Sequence, residues 1–260
     1  MSTSQSADSA GPPAELAASA LAPSRRAKAE QRLVAAAEVV LCSTVPTQIL
    51  LTVLLRAAGV PSHDPAGALL LPFVLLLGLA DTVLLAALMV LITRAHGERV
   101  GELWLGSRPA GREVLVGVAL IPAVFAIVIA LLTAIRLLAP GLRTVPVNPL
   151  EQLATGGAIE AGLFGLVAII AGGVREELQR AFLLRRFERH LGGAAVGVVV
   201  LSTGFGLGHW AQGLDAVVTT GVLGALWAVV YLRRRSVLAP LVSHAGFNAL
   251  EVLRVAAVSG

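Results

Sequence analysis

Charge is kept out of seven long apolar runs, and this segregation limits what the chain can become more than any other feature. The runs cover roughly residues 33–55, 69–93, 114–135, 157–174, 191–209, 214–232 and 236–258. Between them they hold only Glu38, Asp81, Glu160, Asp215, Glu251 and Arg254, although the chain carries 20 basic and 16 acidic residues. About 20 residues at ~1.5 Å rise cross the ~30 Å hydrocarbon core of a bilayer, so each run is long enough to span one. Backbone groups in lipid must be satisfied within the segment or by a closed barrel, and the runs lack the period-two alternation of a barrel. The expected fold is all-α: a polytopic transmembrane helix bundle of about seven helices, with an eighth only weakly marked.

A chain of 260 residues that is 56% hydrophobic is too apolar for a soluble globule or a disordered segment. Cys42 is the single cysteine, which excludes an intramolecular disulfide and CxxC chemistry. The net charge of +4 comes almost wholly from arginine. Its first reading is topology, not a nucleic-acid partner. Basic residues cluster at Arg25–Arg32, Arg94–Arg112, Arg175–Arg189 and Arg233–Arg235, on alternate connections. The positive-inside rule then makes this an integral multi-pass protein of the cell membrane with a cytoplasmic N-terminus. Residues 1–31, rich in Ser, Ala and Pro, read as a flexible cytoplasmic tail without a cleavable signal, and 32–260 as the membrane domain. The stretch 138–157, with Pro140, Pro146 and Pro149, reads as an irregular extracellular loop.

Ionisable groups at membrane depth are costly, so each one asks for a partner or a function. Glu176, Glu177 and Arg180 follow directly on an apolar run, with Arg180 four residues from the first glutamate and three from the second. His209 ends the fifth run, one turn after Phe205. His244 and Asn248 share a face inside the last run. Taken singly, these have ordinary readings: a solvated amphipathic helix over 172–193, an interfacial histidine, and an interhelical hydrogen-bonded pair. Asp81 and Glu160 have no spaced companion and read as structural. Gly204, Gly208, Gly221 and Gly224 read as sites of close helix packing.

Jointly the polar residues say more. Gly192-Gly193 is a natural turn midway between Glu176 and His209, and an antiparallel hairpin there sets both at one height. Glu176 lies nine or ten residues from Arg185 and Arg186, and His244 nine from Arg235, each ~14 Å in from the basic level. Counting back from Arg233 puts His209 deeper, at roughly 24 Å. A carboxylate beside an imidazole can deprotonate water, and a second histidine with an amide can stabilise an oxyanion, which together describe amide hydrolysis without a covalent intermediate. No GxSxG elbow and no HExxH occurs. Glu176, His209 and His244 would also make a zinc-hydrolase ligand set, so zinc is the alternative to a reaction needing no cofactor.

These residues resemble the CPBP intramembrane proteases, relatives of the CAAX prenyl-protein endopeptidases and of bacteriocin-immunity proteins. The family pattern is EExxxR, FxxxH and HxxxN in that order. Phe205–His209 and His244–Asn248 match the last two. The first reads EExxR here, with Ala181 where the pattern has arginine. The resemblance covers about residues 100–255. It implies an endopeptidase acting on a hydrophobic or lipidated, CAAX-type peptide or protein substrate at the membrane lipid. It further implies Glu176 as water activator with Glu177 as its rival, Arg180 as orienting partner, His209 assisting the base or binding metal, and His244 with Asn248 at the oxyanion. The polar cavity they line should open to the cytoplasmic side. A non-catalytic scaffold or immunity-type protein is the alternative function. A proton-coupled transporter finds no inverted repeat to support it.

Overall fold

The computed structural model describes residues 24–259. Helices α1 (Arg25–Leu41), α2 (Val45–Ala57), α3 (Leu71–Ala95), the short α4 (Val100–Trp104) and α5 (Ala110–Leu138) form the N-terminal half. Helix α6 (Ala158–Val167) continues through a π-helical segment, Ala168–Arg175, into α7 (Glu176–His190). Helices α8 (Ala194–Leu207), α9 (Leu214–Arg234) and α10 (Leu238–Ser259) complete the chain. Among the described residues, six helical stretches are long and apolar enough to cross a membrane, and the protein is a multi-pass helical membrane protein.

The packing is that of a lipid-solvated protein. Large apolar side chains such as Val83, Leu115, Leu138 and Ile159 point outward, while Asp81, Glu113, Arg175, Glu177, Arg180 and Arg186 are buried. In lipid there is little gain from hiding apolar surface, so polar contacts and close packing hold the helices together. Gly173 in the π segment lies so near α10 that a Cβ there would sit 2.6 Å from the Ala245 Cβ. On α9, Gly224 leaves room for the Phe205 ring, whose Cδ1 would be 2.9 Å from an added Cβ. Gly206 and Gly221 bring α8 and α9 backbones together in the same way, so the packing expected of Gly221 and Gly224 is found, whereas Gly204 meets nothing.

Four sequence expectations change. The tail was expected to run to residue 31, but α1 begins at Arg25, where the Ser24 hydroxyl caps the Ala27 N–H; residues 1–23 lie outside the described part. The run 33–55 is two helices. Pro46 cannot donate a backbone hydrogen bond, and the Ser43 hydroxyl donates to the Val40 carbonyl. The interrupted turn, with Thr44 at φ +77°, is closed by α7, because Gln179 Nε2 donates to the Cys42 carbonyl and to the Thr44 hydroxyl. The run 191–209 yields only the 14-residue α8, ~21 Å long and too short to span the core. Its glycine-rich end unwinds at Gly208, and Gly213 has φ +117°. The loop 138–157 contains two 3-10 turns, Pro140–Leu142 and Glu151–Ala154, and the second buries Leu153 and Ala154.

Helix α7 is not a solvated amphipathic helix. It is the axis of the bundle, with Glu177, Gln179 to Leu184, Arg186 and Phe187 buried on all sides. Its charged end is locked by arginine–carboxylate pairs. Glu98, between α3 and α4, meets Arg186 and Arg189, with Arg185 at 3.5 Å, while Glu38 meets Arg186 at 2.7 Å. Arg235 grips Glu188 through both terminal nitrogens at 2.7 Å. The expected hairpin is present, with Gly192 and Gly193 both at φ +95°. Only glycine takes that backbone conformation without strain.

Candidate active site

Where α7 begins, charged side chains from three helices alternate in sign. Asp81 of α3, wholly buried, accepts from the Thr47 hydroxyl and from Arg175 Nη1. Arg175 Nη2 donates to Glu176 Oε1 at 3.1 Å. Glu176 Oε2 stands 3.8 Å from His244 Nε2, an ion-pair distance too long for a hydrogen bond. The other nitrogen of that ring, Nδ1, donates to Glu177 Oε1 at 2.9 Å, and the same oxygen accepts from Arg180 Nη1 at 2.6 Å. A carboxylate so placed can only accept, which fixes the proton of His244 on Nδ1 and turns Nε2 toward Glu176.

The two glutamates differ in consequence. Glu177 is 1% exposed and shares one oxygen between two donors; its Oε2 is buried without a donor. Glu176 is 16% exposed and is hydrogen-bonded to the Arg175 guanidinium. Arg180 serves the second glutamate, not the first, through the three-residue spacing. Its guanidinium lies 4.7 Å over the Phe205 ring. The indole of Trp227 stacks on His244 at 3.7 Å and 16°, and its N–H donates to Ser243. The imidazole is therefore fixed in plane as well as in tautomer.

Asn248 shares the α10 face of His244, as its spacing predicts, but its Nδ2 donates to the Ala168 carbonyl at 3.0 Å. One of its two amide N–H bonds remains for another acceptor. Glycine at 172 is what admits this side chain, since a Cβ there would lie 2.6 Å from Nδ2. The Phe205 ring lies 6.1 Å from the His244 ring, and His209 packs on Phe205 at 4.8 Å. The Nδ1–H of His209 donates to the Phe205 carbonyl, leaving Nε2 free. The structure thus joins Glu176, Glu177, Arg180 and His244, with Asn248 one helical turn from His244 and His209 packed on Phe205.

Sequence reasoning missed Arg175, Thr47, Gln179 and Trp227, and read Asp81 as unaccompanied. Glu160 is at the first turn of α6, exposed, with its side chain folded back towards Gly156 and Gly157. Zinc would suit two imidazoles and a carboxylate, and His244, bonded through Nδ1 to Glu177, would have only Nε2 to offer. Among the described residues no group of three His, Cys, Asp or Glu side chains converges to hold a metal ion. The side chains so arranged do not fit that ligand set, and no step below passes through a metal.

No curated protein and no solved structure matches this chain. Residues 158–250, from the start of α6 to Leu250 in α10, match the family described as type II CAAX prenyl endopeptidase Rce1-like. That segment contains Glu176, Glu177, Arg180, Phe205, His209, His244 and Asn248, and over it the chain is similar to the Rce1-like type II CAAX prenyl endopeptidases.

Proposed function

We propose that the protein is an intramembrane endopeptidase that hydrolyses a peptide bond of a membrane-tethered, hydrophobic or lipidated substrate. The family description supports a prenylated CAAX-type tail as the substrate class. The observation that carries the mechanism is the His244 ring held between two carboxylates of unequal burial.

Glu176, the more exposed carboxylate, takes a proton from water as its oxygen attacks the scissile carbonyl. His244 Nε2 accepts that proton in turn, since its Nδ1 proton is committed to Glu177. The resulting imidazolium, balanced by both glutamates, holds the oxyanion by a hydrogen bond from Nε2 and then transfers that one proton to the leaving amine as the C–N bond breaks. The remaining N–H of Asn248 supplements the oxyanion contact. Arg180 and Glu177 orient the ring rather than react. His209, with Nε2 free beside Phe205, borders the site and adds a second polar contact for water or substrate. The N-terminus is assigned to the cytoplasmic side by the arginine distribution, which a topology reporter fused at either end would check.

The test is cleavage of prenylated and unprenylated membrane peptides by the purified protein in liposomes. Wild type should cleave and Glu176→Gln should not. Equal cleavage by both would overturn the assignment of Glu176, and no cleavage by wild type would favour a binding or scaffold role.

A further inference from the structure

Away from the site, the first turns of α1 carry cations that have no acidic partner among the described residues. Arg25, Lys28 and Arg32 recur at spacings of three and four and so share one face of the helix. Continuing along that face come Ala36, Val39 and Val40, all apolar. The face looks onto the end of α7, and two adjoining hollows of about 600 and 590 Å³ lie between them, sharing Arg32, Ala36 and Leu191. One opens beside Arg25 and Lys28; the other extends past Val40 to Phe187 and His190.

Among the described residues, no acidic side chain lines either hollow. The acids of α1 are engaged elsewhere, Glu30 with Arg26 and Glu38 with Arg186 and His96. The groove is therefore graded along its length, cationic at one end and apolar at the other, with Ala29 and Ala36 too small to fill it. A ligand complementary to that gradient has an anionic head and a hydrocarbon tail. We propose that this groove binds an anionic phospholipid, its phosphate among Arg25, Lys28 and Arg32 and an acyl chain along Ala36 and Val40. A zwitterionic lipid supplies the same chain but places its own cation against the arginines. A free phosphate supplies the charge without the chain.

The experiment uses the full-length protein in neutral detergent and reads bound lipid by native mass spectrometry. The probes are phosphatidylglycerol, phosphatidylcholine with the same acyl chains, and glycerol 3-phosphate. Wild type should retain phosphatidylglycerol about tenfold over phosphatidylcholine, as expected for several basic residues facing one anionic head. Glycerol 3-phosphate should not compete. The preference should vanish in R25Q/K28Q/R32Q. Ala36→Phe, which keeps every cation but fills the floor, should lower retention, and Arg26→Gln, which lines neither hollow, should leave it unchanged. Equal retention of the two lipids by wild type, survival of the preference in both groove variants, or full competition by glycerol 3-phosphate would each overturn the proposal.

Discussion

His244 donates its Nδ1 proton to Glu177 Oε1 across 2.9 Å, so the nitrogen it turns toward Glu176 is the one able to accept a proton. The pair has the logic of a carboxylate orienting an imidazole, in which the buried acid sets the tautomer and does no proton transfer itself. Glu177→Gln should therefore lower kcat by about 10²-fold or more with little change in KM, and alter the pH–rate profile, because the neutral amide no longer balances the imidazolium or the Arg180 guanidinium. A Glu177→Gln variant with wild-type kcat and pH profile would contradict this role.

The Asp81–Arg175 pair should behave as a buried ion pair in which one partner alone is worse than none. Asp81→Asn leaves the guanidinium with only Glu176 to balance it, and should cost about 3 kcal/mol in unfolding measurements in mixed micelles. Adding Arg175→Gln to Asp81→Asn should restore part of that stability. Additive losses in the double variant would show that the two side chains do not interact energetically.

Gly173→Ala should separate the π segment from α10, because its Cβ would meet Ala245 backbone and Cβ atoms at 2.6 to 3.0 Å. Overpacking of this kind costs about 1–3 kcal/mol. Since α10 carries His244 and the π segment leads into Glu176, activity should fall with stability. A fully active variant of unchanged melting temperature would refute the closeness of this contact.

Much of the bundle was legible because lipid leaves a simple mark: spans are long runs without charge. What that mark lacks is helix ends. The run 191–209 looks like the others, yet glycines at 204, 206, 208 and 213 let α8 unwind, and only the folded chain reveals the shortfall. The break at Cys42–Thr44 was hidden for a related reason, since Pro46 alone is tolerated near a helix start and the closing donor, Gln179, is 137 residues from Cys42. In the site, local spacings were readable: Glu177 with Arg180, His244 with Asn248. Asp81 with Arg175, 94 residues apart on different helices, obeys no spacing rule.

Acid should weaken the charged end of the bundle through Glu98, which lies outside the membrane spans. Burial pushes its carboxyl up, but the hydrogen bond from Arg186 and the charges of Arg186, Arg189 and Arg185 outweigh that and hold it below the ordinary 4.5. A group lowered in the folded state contributes its stability above the unfolded value and loses it as pH falls through the folded one. Glu98→Gln should thus cost about 2 kcal/mol at pH 7, and the gap to wild type should narrow steadily as the pH is lowered below 4.5. A gap independent of pH would contradict the ionic origin of the contact.

The central claim is that Glu176 activates water with His244 at its side. Its most direct test is the rate of cleavage of a prenylated membrane peptide by wild type and Glu176→Gln in the same liposomes, with substrate binding measured in parallel. The account predicts a fall in kcat of about 10²–10⁴-fold with binding retained. Cleavage by Glu176→Gln at the wild-type rate would contradict it.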